Sequence, residues 1–170
     1  MLKLDGKITA YKVMPNTSTT VNEQKPVVEQ YIMNEHVKRP DHLFDSTYKI
    51  KQPTSGHALY ITINDYVFNP DTQFKQYFPY EVFINSKNME YYQCVVAITR
   101  LISAVFRKGG NVAFISEELK GVFDPKGGYF KKGGVFVPSL VAEIGMIIEK
   151  HLIKNGIIQL EKMFRYFILF

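Results

Sequence analysis

A chain of 170 residues, 46% of them apolar, has the material for one core of ordinary domain size with an arm or a tail to spare. Its formal charge of +5 is mild: it suits phosphate-bearing ligands or nucleic acid without demanding either, and an intracellular protein with a few surplus lysines has the same balance. One cysteine, Cys94, excludes an internal disulfide, a cysteine-rich zinc site and thiol redox chemistry within the chain, and its expected fate is to pack as a small buried apolar group.

That count suits a reducing cytoplasm. No apolar run reaches the length of a membrane span, and Met1 to Val13 lacks the apolar stretch of a secretory signal. The 13 Phe and 11 Tyr, with no Trp, can supply core, a partner surface or a stacking platform.

In chain order, Lys7 to Met14 alternates enough for a short strand. Pro15 to Glu23 is polar, has little to bury and reads as a linker. Val27 to His36 fits a short strand or a short helix equally well, and Arg39-Pro40-Asp41 marks the entry to the next unit. Tyr48 to Gln52 predicts a strand and His57 to Phe68 a stronger one. There Leu59, Ile61, Ile63 and Val67 alternate with Tyr60, Thr62, Asn64 and Tyr66, the two-residue period of a half-buried strand. Asn69-Pro70-Asp71 breaks it, and Tyr80 to Asn85 returns, so the pair predicts an antiparallel hairpin with a long loop.

Ser86-Lys87-Asn88 offers caps for a helix over Met89 to Arg107, in which Tyr92, Val95, Val96, Thr99, Ile102 and Phe106 share one face. Gly109-Gly110 ends it. Val112 to Phe123 predicts a second helix, Asp124 to Gly128 a turn, and Tyr129 to Val137 a small hairpin around Lys132-Gly133-Gly134. Pro138-Ser139 opens a third helix to about Lys154, with Pro placed in its first turn, and Asn155-Gly156 closes it. The fold class is α+β, a small antiparallel β-sheet packed against about three helices. Met163 to Phe170 is apolar and aromatic but too short to cross a bilayer, and is expected to cover a groove on its own domain or on a neighbour.

The histidines, His36, His42, His57 and His151, lack metal-ligand spacing with one another or with cysteine. No Gly-x-Ser-x-Gly elbow, phosphate loop or dinucleotide glycine motif occurs, and no nucleophile-base set is visible. Glu117 and Glu118 point about 100° apart on a helix and read as a solvated face. Tyr60, Thr62, Asn64, Tyr66 and Phe68 share a strand face that could stack bases or pack against a helix or the N-terminal arm.

Two stretches could hold an anion. Asn85, Ser86, Lys87 and Asn88 precede the long helix, whose N-terminus gathers free amides. Lys108 to Gly134 carries seven of the 11 glycines, beside Arg107, Lys108, Lys120, Lys126, Lys131 and Lys132. Glycine lets amides approach a phosphate and the lysines add charge. The plainer readings are helix capping for the first stretch, and helix stops and tight turns with solvated lysines for the second. The candidate ligand-binding set is Asn85, Ser86, Lys87, Asn88, Arg107, Lys108 and Lys126, with no catalytic or metal residue assigned.

The order of motifs resembles a known family. Arg39-Pro40, Thr47 to Ile50, Tyr60 to Asp65 and the long run Glu81 to Glu90, then Ile102 to Arg107, Glu117 to Pro125 and Val137 to Leu140, are similar to a late region of adenosylcobalamin (vitamin B12)-dependent ribonucleotide reductases, the TSCPD domain. Lys7 to Lys12 resembles what precedes that region. In some bacteria the region looks to be a separate chain paired with a larger catalytic chain. The cysteines of the family motif are missing, with Ser55-Gly56-His57 and Phe123-Asp124-Pro125 standing where cysteine-bearing members differ, and the cysteine-rich tail that re-reduces such active sites is missing as well.

The resemblance implies a part in making deoxyribonucleotides but carries over no catalytic residue, so the chain is not expected to be active alone. It divides the sequence into an N-terminal strand and linker arm (1–38), a TSCPD-like α+β domain (39–156) and an apolar aromatic tail (157–170). The expected role is a cytoplasmic, non-catalytic accessory subunit or regulatory module that docks on the large catalytic chain through tail and arm. Adenosylcobalamin would sit on that partner and none on this chain. The alternatives are a free-standing nucleotide or cyclic-nucleotide binding module, and an oligomerising domain without ligand.

Overall fold

A computed structural model describes residues 33–53, 56–87 and 92–159. The strand expected at Lys7 to Met14, the linker, most of Val27 to His36, Asn88 and the stretch Met163 to Phe170 lie outside the described residues. The chain forms β1 (Phe44–Ile50), β2 (Leu59–Phe68), β3 (Gln76–Ser86), α1 (Tyr92–Lys108), α2 (Phe114–Lys120), β4 (Tyr129–Phe130), β5 (Phe136–Val137) and α3 (Leu140–Lys154). Strands β1-β2-β3 make one antiparallel sheet and β4-β5 a separate hairpin, so the α+β expectation holds.

Strand limits follow from pairing. Ile50 opposes Leu59 and Phe44 opposes Asp65, so β1 starts and ends earlier than its composition suggests. β3 extends well upstream of Tyr80 because β2 finds partners for its whole length. A bulge opposite Asn64 and Asp65 inserts Tyr80 into β3, so Tyr80 and Glu81 both serve the second face of the sheet.

The first face carries the main core. Ile50, Leu59, Ile61, Ile63 and Val82 pack against Ile102 and Phe106 of α1 and Ile144, Ile148 and Leu152 of α3. Each such side chain, fully buried, contributes about 1.5–3 kcal/mol. Helix α1 buries Thr99, Ile102, Ser103 and Phe106, a narrower face than expected. Tyr92 is exposed. Cys94 is exposed too, contrary to expectation; it lies five residues, about 140° around the helix, from Thr99. Ser103 Oγ accepts from the Val82 amide at 2.9 Å and donates to Thr99 O at 2.7 Å. That bond satisfies an edge amide of β3, which among the described residues pairs only with β2.

The second face is covered at one end by the segment before β1. Met33, Phe68 and Tyr80 form a small cluster with Val37, Leu43 and Tyr66. Packing against the chain's own N-terminal side therefore takes up Tyr66 and Phe68, while Tyr60 stays exposed. Asn34 bridges to Gly109, whose φ of +76° only glycine adopts readily and which brings its Cα against the Met33 carbonyl.

Helix α2 is shorter than expected and ends at Gly121. The rest of the predicted helix runs on as a loop pinned to the start of α3, with Ser139 Oγ donating to Val122 O and the Asp124 amide to Pro138 O. Ser139 also accepts from the Ala142 amide at 3.0 Å and is the N-cap of α3, so Pro138 sits just before the cap rather than in the first turn. Gly145 lets α2 and α3 touch, since a Cβ there would meet Leu119 and the Lys120 amide at 2.9 Å.

Candidate functional site

Two buried polar nodes stand out, and sequence reasoning found neither. In the first, the His151 ring is fully buried on α3, on the same stripe as Ile144, Ile148 and Leu152. Its Nε2 lies 2.8 Å from Asp65 Oδ1 and its Nδ1 2.9 Å from the Tyr48 hydroxyl. The carboxylate fixes the tautomer: Nε2–H donates to Asp65, and Nδ1 accepts from Tyr48. Asn155, the C-cap of α3, places its amide 3.1 Å from Nε2. Burial, then the Asp65 charge, raises the Tyr48 pKa above the ordinary tyrosine value, so its proton stays in the bridge.

A cleft of about 280 Å³ touches this node at Asp65 and Asn155, with Phe44, Ser46, Tyr77 and Lys154 among its walls. The Tyr48 hydroxyl points at the His151 ring. The arrangement orders acid, imidazole and hydroxyl, but what it does is clamp β1, β2 and α3 together.

The second node anchors the β4-β5 hairpin. Glu143 on α3 is almost fully buried and accepts a hydrogen bond from the Tyr129 hydroxyl and an ion pair from Lys131. Burial, then the bond to Glu143, pushes the Tyr129 hydroxyl far above the ordinary tyrosine range. The feet of the hairpin are thereby fixed to a helix of the core. Val137 of β5 is buried as well, whereas Phe130 and Phe136, tilted against each other with centroids 5.2 Å apart, are 64% and 46% exposed, with Val135 exposed beside them. A rigidly held, solvent-exposed aromatic pair is surface suited to a partner.

On the second face of the sheet, Arg39 grips Glu81 with two bonds of 2.9 and 3.2 Å, and Asn64 donates to the same carboxylate at 2.9 Å. Burial raises the Glu81 pKa, but the Arg39 and Asn64 bonds outweigh it, and the net shift is downward.

The residues expected to bind an anion fall at the two ends of α1, with Lys126 beside its first turns, in one groove with Cys94 and Val95. Asn85, Ser86 and Lys87 close β3 ahead of α1, and Asn88 lies outside the described residues. Arg107 and Lys108 sit at the other end of α1, about 25 Å away by its 17 residues. Arg107 lies over the Tyr80 ring at 6.0 Å and lowers the Glu81 pKa, which gives it a packing role. Lys126 is in the turn after α2, where its amide is held by Asp124. Among the described residues no group of His, Cys, Asp and Glu could hold a metal ion, and no helix is long and apolar enough to cross a membrane.

Fold and nodes together define a small α+β module, internally clamped, with exposed aromatic rings on its β4-β5 hairpin. The family model of the TSCPD domain matches residues 33–152, and the chain belongs to that family. This domain is found in B12-dependent ribonucleotide reductases. No curated protein and no solved structure matches the chain significantly.

Proposed function

We propose that this chain is a non-catalytic accessory subunit or regulatory module of a B12-dependent ribonucleotide reductase, docking on the catalytic chain in the cytoplasm. Adenosylcobalamin and the reducing thiols belong to that partner. Family membership supports the setting. The observation that carries the docking role is the β4-β5 hairpin. Its Tyr129 and Lys131 are tied to buried Glu143 while Phe130, Val135 and Phe136 are held in water. Exposed aromatics on a pre-organised element lose little entropy on binding, the usual character of an interface anchor.

The test is reconstitution with a catalytic chain of a B12-dependent reductase that lacks this domain. Sedimentation should show a stoichiometric complex, and nucleotide reduction or its allosteric response should change on addition. A catalytic chain that neither binds this protein nor responds to it would remove the reading.

A further inference from the structure

A second surface is concave. An apolar groove of about 460 Å³ runs between the first turns of α1, the loop after α2 and the start of α3, with Cys94, Ile98, Phe123, Leu140 and Val141 in its walls. Phe123 is 72% exposed and Cys94 is open to solvent. An apolar trough of this kind is unfavourable while water fills it.

The course of the chain says what can fill it. Helix α3 begins at the groove and runs 15 residues, about 22 Å, away from it. At its far end the chain doubles back: Gly156 takes φ +73°, its amide donates to Ile153 O at 3.0 Å, and the Ile157 amide donates to Leu152 O at 2.9 Å. This pair of bonds is a Schellman stop. Ile157 and Ile158 lie back on the core, so the chain has turned onto the body of the fold. Gln159 is the last described residue, and Leu160–Phe170 follow it. Seven extended residues reach about 23 Å at about 3.3 Å each, the length of α3 in reverse. Those after the seventh are Phe167, Ile168, Leu169 and Phe170, all apolar.

We propose that the segment Phe167–Phe170 seats in this groove of its own chain. A tether whose length matches the span gives an effective concentration of about a millimolar, above that of a second copy in dilute solution. The inference is independent of the docking role, which uses the hairpin.

Cys94, the single cysteine, reports occupancy because it lines the groove. The full chain and its Phe167→Asp/Leu169→Asp variant would be labelled with a chromogenic disulfide reagent, and circular dichroism would confirm that both are folded. Labelling should be at least about fivefold faster in the Asp variant. The native rate should not change over a hundredfold dilution, and the conservative Phe167→Leu/Leu169→Met pair should keep it. Equal rates in the native and Asp chains would overturn the proposal. So would protection that fades on dilution, which would assign the groove to a second copy.

Discussion

His151 Nε2 and Asp65 Oδ1 lie 2.8 Å apart in the interior, joining the last turns of α3 to the middle of β2. His151→Leu would leave the Asp65 carboxylate buried without its main partner, and stranding a buried charged group costs at least about 1–3 kcal/mol. Asp65→Asn keeps an oxygen for the imidazole N–H and should cost only about 1 kcal/mol. Urea unfolding of the two variants checks this. Similar small losses in both would mean that the node does not clamp the fold.

The Glu81 pair makes stability depend on pH in a way that Arg39 controls. The folded pKa of Glu81 is below its ordinary 4.5, so the carboxylate adds stability above that pH and loses it as pH falls through the folded value. In Arg39→Ala burial is opposed only by Asn64 and Arg107, so the folded pKa rises and the carboxylate adds less stability above about 4.5. The gap between the two proteins should therefore be small near pH 3 and widest near neutrality. Melting curves at both pH values measure it, and a gap independent of pH would refute the assignment.

Two adjacent glycines separate strain from collision. Gly109 and Gly110 both have positive φ, +76° and +79°, but a Cβ on Gly109 would lie 1.7 Å from the Met33 carbonyl oxygen and one on Gly110 would meet nothing within 4 Å. Gly110→Ala should cost about 1–3 kcal/mol from the backbone alone. Gly109→Ala should cost more, because the Met33 segment must leave the sheet. Thermal unfolding of the pair gives the difference directly.

Phe130→Ser/Phe136→Ser should cost at most about 1.5 kcal/mol, since it removes one ring pair that is largely exposed. The same change should weaken binding to a reductase catalytic chain at least tenfold, about 1.4 kcal/mol. Titration calorimetry with native and variant protein decides between docking and a passive surface.

Much of the fold was legible because its cues are local. The alternation of β2, the glycines after α1 and Asn155-Gly156 after α3 each act within a few residues. What pairing sets was not legible: the early start of β1, the bulge at Tyr80 and the long β3 depend on a neighbour's length. The polar nodes escaped for the same reason, as Tyr48, Asp65 and His151 come from three elements. A signal was nonetheless present. Asp65 shares the parity of Leu59, Ile61 and Ile63, and Glu143 and His151 fall on the apolar stripe of α3, where a polar group must have a partner. Composition in Lys108 to Gly134 pointed instead to an anion site, and the fold puts its Lys108 and Lys126 at opposite ends of α1.

The bridge from Asn34 to Gly109 also orders events in time. Its two ends are far apart in the chain, so its loop is costly to close and it is expected to form late, after the rate-limiting barrier. A chain deprived of this stitch should fold at an unaltered speed and come apart sooner, its half-life rather than its birth being what those backbone atoms govern.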